Sequence, residues 1–529
     1  MWRTWIRNET LHQRLLAVAL VFAVALAFAP VSGFQFIQLD DPKHIVENPN
    51  LNPPALIKLP AIWKDSYFGM YIPVTYTLWG LTAIFTNIGR YPAVYDPKLY
   101  HSLNAIVHLV NVLLLFSILL ALSRSTLAAF FGSLFFAWHP VQIESVAWVS
   151  SLKDLLCTTF SLLCLSFLLR WESTKCTRWK YYFIGLLSFT LALLSKPSAV
   201  MVPVCAAGVL WLFRSTPKKT LAIRLGPWLL LAAPIAYVTK VAQPYTAGLQ
   251  IAPWWQRPYI ALDALGFYVS KLLLPIRLSM DYGRTPHWVL SHLSPYVFVL
   301  LVFVAAVIYY REHLGPIPRA LLLALLALLP VLGFVPFLFQ IFSTVADRYL
   351  YFPLALLSIG LTLFLKNQRS RSIWALGGCA IVALGALSRE HLPTWQDGIR
   401  IFEHSVRITP QSVLASNNLG VEYQVRGRFK EAAESFSRAV ELDPKRYDLY
   451  GNLGAALVAS GNTREGIKKL LFAESNGALP SIVLYNLGRA YLRLGQYENA
   501  RKYAAEALEL EPDTPRVQEL YRVTHKSGG

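Results

Sequence analysis

The chain has little of what a soluble enzyme relies on. Charged residues make up only 15% of its 529 positions, and the acids are outnumbered, 30 Asp and Glu against 49 Lys and Arg. So sparse a charged surface argues against an ordinary soluble protein. No glycine-rich phosphate loop occurs, which removes the usual nucleotide-binding motifs. The five cysteines, Cys157, Cys164, Cys176, Cys205 and Cys379, lie in or beside apolar segments without a CxxC spacing. That excludes a disulfide framework and a zinc site. Disorder is excluded by a hydrophobic content of 55% and a mean hydropathy of +0.42.

What the chain does have is a series of apolar runs. They cover about 15–31, 100–122, 126–140, 154–170, 181–195, 198–213, 226–242, 293–310, 320–340, 349–365 and 372–388. The reading is an all-α, polytopic membrane helix bundle of about eleven spans. Two aromatic-rich stretches, 72–88 and 259–275, are interrupted by polar groups and suit interfacial or re-entrant helices better. At the N-terminus Ala27-Phe28-Ala29 resembles a signal cleavage site, but Pro30 would follow the cut, so a retained first helix is expected.

The net charge of +19 sits largely in short gaps between these runs. It reads as membrane topology and not as nucleic-acid binding. Arg124, the group from Arg170 to Lys180, the group from Arg214 to Arg224, Arg311, Arg319 and the group from Lys366 to Arg371 fall on the side of Arg3, Arg7 and Arg14 if 259–275 does not cross. Positive-inside then puts the N-terminus in the cytoplasm. The first large loop, 34–99, and everything after 389 are expected outside it.

After Arg389 a 34-residue period appears. Asn418, Asn452 and Asn486 share it, as do Gly420, Gly454 and Gly488, Gly427, Gly461 and Gly495, and Ala439, Ala473 and Ala507. That is the period and composition of the tetratricopeptide repeat, a helix pair that stacks into an α-solenoid. Residues 1–389 are thus expected to form the membrane domain and 390–529 the repeat domain. The latter comprises a partial repeat at 394–410 and repeats at about 411–444, 445–478 and 479–512.

Two adjacent carboxylates, Asp40 and Asp41, follow the first apolar run in FQFIQLDDPKHIVENPN. An acid at the water–lipid boundary suits a general base, although Asp-Asp-Pro is also turn chemistry. Adjacent extended residues point to opposite sides, and Pro42 favours an extended Asp41, so one acid is expected at the reacting centre while the other holds the loop. His101, Asn104, His108 and Asn111 share a helical stripe, as a cavity wall or as interhelical hydrogen bonding. His101 is the better site candidate. WHPVQIESVAWVSSLKD (138–154) offers His139, Glu144, Lys153 and Asp154. Lys153 is placed to hold a phosphate unless Asp154 neutralises it. Trp138 and Trp148 read as interfacial anchors. Lys196 and Arg348 lie at segment ends where a cation suits a lipid phosphate. The competing readings are snorkelling for Lys196 and pairing with Asp347 for Arg348.

Six strings in order, LDDPKHIVENP, HSLNAIVHLVNVLLL, WHPVQIESVAWVSSLKDLL, LLSKP, VADRYLYFP and TWQDGIRIFEHSVRITP, followed by the repeats, resemble the transmembrane and tetratricopeptide-repeat containing O-mannosyltransferases of the GT-C-type superfamily. The resemblance covers nearly the whole chain. It implies an inverting glycosyltransferase that moves mannose or another hexose from a polyprenyl-phosphate donor to an acceptor hydroxyl, such as protein Ser or Thr, at the extracytoplasmic face. By analogy with the superfamily Asp40 is favoured as the base. The implied partners are the lipid-phosphate sugar, membrane lipid and an acceptor polypeptide held by the repeats. A divalent metal is compatible with that chemistry, but no ligand spacing points to one. The chain departs from eukaryotic members in having only three and a half repeats and a shorter, less regular 243–290 region. This compact layout is bacterial in kind and implies an inner-membrane protein. Two other readings are a non-enzymatic scaffold whose repeats recruit envelope proteins, and a lipid-linked-sugar transporter or ligase.

Overall fold

A computed structural model describes residues 2–86, 95–242, 252–478 and 480–526, with side chains described from residue 11 onward, Pro480 excepted. Arg3 and Arg7, the end of the 72–88 stretch and residues 243–251 of the central region therefore lie outside the described residues or side chains. Those described form helices and turns, with a lone bridge between Tyr67 and Met70 in place of any strand. The chain divides into two compact units, Met1–Asp397 and Gly398–Gly529. The sequence expectation put this boundary after 389.

Among the described residues of the first unit, six helices are long and apolar enough to cross a membrane: Leu11–Gly33, Pro97–Ser123, Val149–Ser173, Pro197–Arg214, Asp347–Lys366 and Arg371–Trp395. Two bent pairs, Thr126–Trp138 with Pro140–Ala147 and Lys218–Leu225 with Trp228–Ala242, raise the number to eight if each is one span. Trp179–Ser195, Pro295–Tyr309 and Ile317–Val331 are apolar but shorter. The Pro73–Thr86 and Arg257–Leu273 helices are not among the long apolar ones.

Local chemistry sets the helix starts. Asp96 accepts a hydrogen bond from the Lys98 amide at 2.9 Å, and Pro97 takes the first helical position. The polar stripe of that helix is interhelical bonding. Asn104 Nδ2 donates to Trp148 O at 2.8 Å, and Asn111 Nδ2 donates to Leu155 O at 3.0 Å. His108 Nδ1 meets the Tyr351 hydroxyl at 2.7 Å. Such bonds average about 0.6 kcal/mol each in a membrane protein and fix which helix faces meet.

Among the described residues the second unit opens with the Gly398–Ile408 helix and then holds three helix pairs, Val413–Val425 with Phe429–Leu442, Tyr447–Ala459 with Thr463–Ser475, and Pro480–Arg493 with Tyr497–Leu510, followed by Pro515–Lys526. The in-phase glycines explain the period. Gly427, Gly461 and Gly495 sit in the turns at φ of 73°, 101° and 69°, a left-handed backbone that favours glycine. Gly454 lies where a Cβ would come within 2.7 Å of Leu470 and 2.8 Å of the Gly466 carbonyl. Ala439, Ala473 and Ala507 are fully buried.

Candidate active site

The acidic pair divides its labour. Asp41 is fully buried. Its Oδ2 accepts from the Ile37 amide at 3.0 Å, and its Oδ1 accepts from the Ser150 amide at 3.0 Å and from the Ser150 hydroxyl. It thereby ties the loop after the first span to the first turn of the Val149–Ser173 span. Burial outweighs these donors and pushes its carboxyl up to about 7. Asp41 is helical, at φ −59° and ψ −46°, and not extended as Pro42 suggested. The three donors lock its carboxylate, and a short helical turn continues from it over Pro42–Val46. Asp40 is the other kind of acid, with a side chain 27% exposed and Lys153 Nζ 4.0 Å from its Oδ2.

Three buried or half-buried cations gather beside this pair. Lys196 Nζ is bonded to Asp154 Oδ1, and Arg348 Nη1 to Glu144 Oε1. Glu144 Oε2 also accepts from the Arg348 amide at 2.9 Å. Two aromatic rings connect the cations. Lys153 Nζ lies 5.7 Å and the Arg348 guanidinium 5.3 Å from the Trp148 ring. Lys196 Nζ and the Arg348 guanidinium each lie 5.0 Å from the Tyr349 ring. Such stacking stabilises a cation held away from water. Asp154, Lys196, Arg348 and Tyr349 line one recess of about 40 Å³, room for a few waters. Asp154 Oδ2 is buried with no hydrogen-bond partner among the described residues.

The ion-pair partners differ from those nearest in sequence. Asp154 holds Lys196 and not its neighbour Lys153. Arg348 takes Glu144, while the neighbouring Asp347 accepts the Tyr282 hydroxyl at 2.9 Å. Trp148 is 2% exposed and lies among the cations, so it is no interfacial anchor.

The two histidines singled out in sequence lie against backbone. His101 Nε2 lies 3.3 Å from the Gln35 carbonyl, and its ring packs edge-on against Phe34. His139 caps the break between Thr126–Trp138 and Pro140–Ala147. Its Nδ1 accepts from the Val141 amide at 3.4 Å, and its Nε2 faces the Leu272 carbonyl at 3.2 Å.

His44 and Tyr76 were not singled out, although His44 belongs to the LDDPKHIVENP string. His44 Nδ1 is 2.8 Å from the Tyr76 hydroxyl, its ring stacks on Trp79, and its Nε2 is buried with no partner among the described residues. Burial, with the charge of Lys153 nearby, holds its imidazole well below the ordinary range. Among the described residues no group of three His, Cys, Asp or Glu is placed to hold a metal ion.

Two segments match tetratricopeptide repeat family models, residues 413–446 and 481–514. Most of the chain is similar to curated protein O-mannosyl-transferases. F38B6.6 of Caenorhabditis elegans is 24% identical over 477 residues, which cover 83% of this chain and 64% of that protein. TMTC3 of Mus musculus is 21% identical over 526 residues, 88% of this chain and 55% of its own length. TMTC1 of Homo sapiens is 23% identical over 521 residues, 83% and 56% respectively. The chain thus spans between half and two thirds of the length of these relatives, and it is similar to them along most of its own.

Proposed function

We propose that this chain is a GT-C-type membrane glycosyltransferase that moves a hexose, mannose by its relatives' names, from a polyprenyl-phosphate donor to a Ser or Thr hydroxyl of a polypeptide. The observation that carries the reading is one part-exposed carboxylate, Asp40, beside three clustered cations, Lys153, Lys196 and Arg348.

Asp40 takes the proton of the acceptor hydroxyl. The acceptor oxygen bonds to the anomeric carbon as that carbon's bond to the phosphate oxygen breaks, with inversion. The electron pair leaves on the phosphate, and the second product is polyprenyl phosphate. The cations stabilise the charge that builds there, in a site walled off from water. Lys153 is the cation least committed to an acid, with its nearest carboxylate oxygen at 4.0 Å. Asp154 Oδ2, without a partner, is left to accept a hydroxyl of the sugar. Asp41 positions the loop and does not react. The recess, with room for a few waters, is smaller than a sugar phosphate, so donor binding requires its lining side chains to move apart. The positive-inside rule supports a cytoplasmic N-terminus, with the basic loops on that side and the acidic loop and the repeats on the other. There the repeats would hold the acceptor polypeptide.

The test is transfer by the purified chain from polyprenyl-phosphate mannose to a Ser/Thr peptide. The products should be the glycopeptide of opposite anomeric configuration and free polyprenyl phosphate. A scaffold or a transporter yields neither.

A further inference from the structure

Another cavity lies between the Val202–Arg214, Lys218–Leu225 and Ile317–Leu328 helices, and it differs from the charged recess in every respect. It measures about 350 Å³, within the size range of ligand sites. Pro203, Trp211, Leu221, Leu323 and Leu326 are among its walls, and Lys218 is its one charged lining residue. Lys218 Nζ lies 4.0 Å from the centre of the Trp211 ring. Arg319 reaches the carbonyl of Leu212, another lining residue, at 3.4 Å. Lys219 follows Lys218 at the start of the same helix. Among the described residues none of Lys218, Lys219 and Arg319 has an ion pair, whereas nearby Arg214 is neutralised by Glu172 at 2.9 Å.

An apolar cavity lined at one end by an unpaired lysine, with Lys219 next to it in sequence and Arg319 on the carbonyl of the lining residue Leu212, matches a molecule with a hydrocarbon chain and an anionic head. We propose that this cavity takes one acyl chain of an anionic bilayer phospholipid, with Lys218, Lys219 and Arg319 around its phosphate. The cationic end of the cavity, at Lys218, is set apart from the charged recess, which adjoins its other end at Pro203. Val202 lines that recess and Lys218 follows the far end of the 13-residue helix it begins, a rise of about 20 Å. The headgroup site is therefore separate from the cations assigned to the donor phosphate, and the inference does not depend on the chain being a transferase.

The experiment uses the full chain in detergent, titrated with phosphatidylglycerol or phosphatidylcholine, with bound lipid counted by native mass spectrometry. One phosphatidylglycerol should be retained in preference to phosphatidylcholine. The exposed triple variant K218Q/K219Q/R319Q should weaken that binding by roughly fivefold per cation, on the order of a hundredfold in all. Ala222→Phe, which fills the cavity from its exposed wall, should weaken it with the cations intact. Equal retention of the two lipids, or an unchanged affinity in either variant, would overturn the proposal. So would one-for-one displacement of phosphatidylglycerol by polyprenyl phosphate, which would assign the cavity to the donor's tail.

Discussion

Replacing Asp41 with Asn should loosen the acidic loop. Both oxygens of the native carboxylate accept hydrogen bonds, one from Ile37 and the other from Ser150. An amide keeps the shape but turns one acceptor into a donor, so at least one buried N–H faces another. Each buried group left without its partner costs about 1–3 kcal/mol. A total of about 2–4 kcal/mol speeds local opening roughly thirtyfold to several hundredfold. Hydrogen exchange of the 34–48 segment in detergent measures this directly. The wild type should also carry a pH signature. Its carboxyl rises from an ordinary 3.8 to about 7, so the folded loop holds the proton more tightly than the open one. The stability from this group is complete below about pH 4 and is lost as pH rises through about 7. Between pH 5 and 8 the loss is about 3 kcal/mol, after correction for intrinsic exchange rates. D41N should show no such slope. Exchange in D41N matching the wild type at pH 7, or wild-type protection that grows with pH, would refute the reasoning.

Three other substitutions separate holding the fold from holding the substrate. Glu144→Gln leaves the Arg348 guanidinium buried without its acid and should cost about 3–5 kcal/mol, read as a lower Tm in detergent. Lys153→Met breaks the loose 4.0 Å pair with Asp40 and the 5.7 Å contact with the Trp148 ring, and no closer ion pair among the described residues. It should leave Tm nearly unchanged and raise the KM for the lipid-phosphate donor by about tenfold or more, the worth of a charge-assisted hydrogen bond. Gly454→Val drives a side chain into Leu470 and the Gly466 carbonyl. It should cost about 1–3 kcal/mol and raise exchange across 447–475, with protection in 97–173 untouched.

The repeats were legible because one spacing recurs in several residue types at once, and each type has a local cause: a left-handed turn at Gly461, a helix crossing at Gly454 and full burial at Ala473. The membrane helices were legible from hydropathy for a similar reason. The charged residues around Trp148 were legible as candidates but not as pairs. Glu144 and Arg348 are 204 positions apart, and Asp154 and Lys196 are 42 apart. Adjacency misled in both cases, because a helical turn sends neighbouring side chains in different directions. Trp148 resembled an interfacial anchor in sequence, since nothing local marks which tryptophan will be enclosed by cations. Asp41 adopted a helical backbone against the bias of Pro42, because its carboxylate is held by Ser150, 109 positions away. His44 gave no periodic or charge signal at all; its relation to Tyr76 and Lys153 arises only once the loop has folded.

The most direct measurement of Asp40's part is the turnover of purified Asp40→Asn on a lipid-phosphate sugar and an acceptor peptide, with loop exchange recorded in the same preparation. If Asp40 takes the acceptor's proton, kcat falls by about a hundredfold or more while the donor KM and the exchange pattern stay near wild type. Turnover above about a tenth of wild type, in a chain that folds normally, would contradict that role.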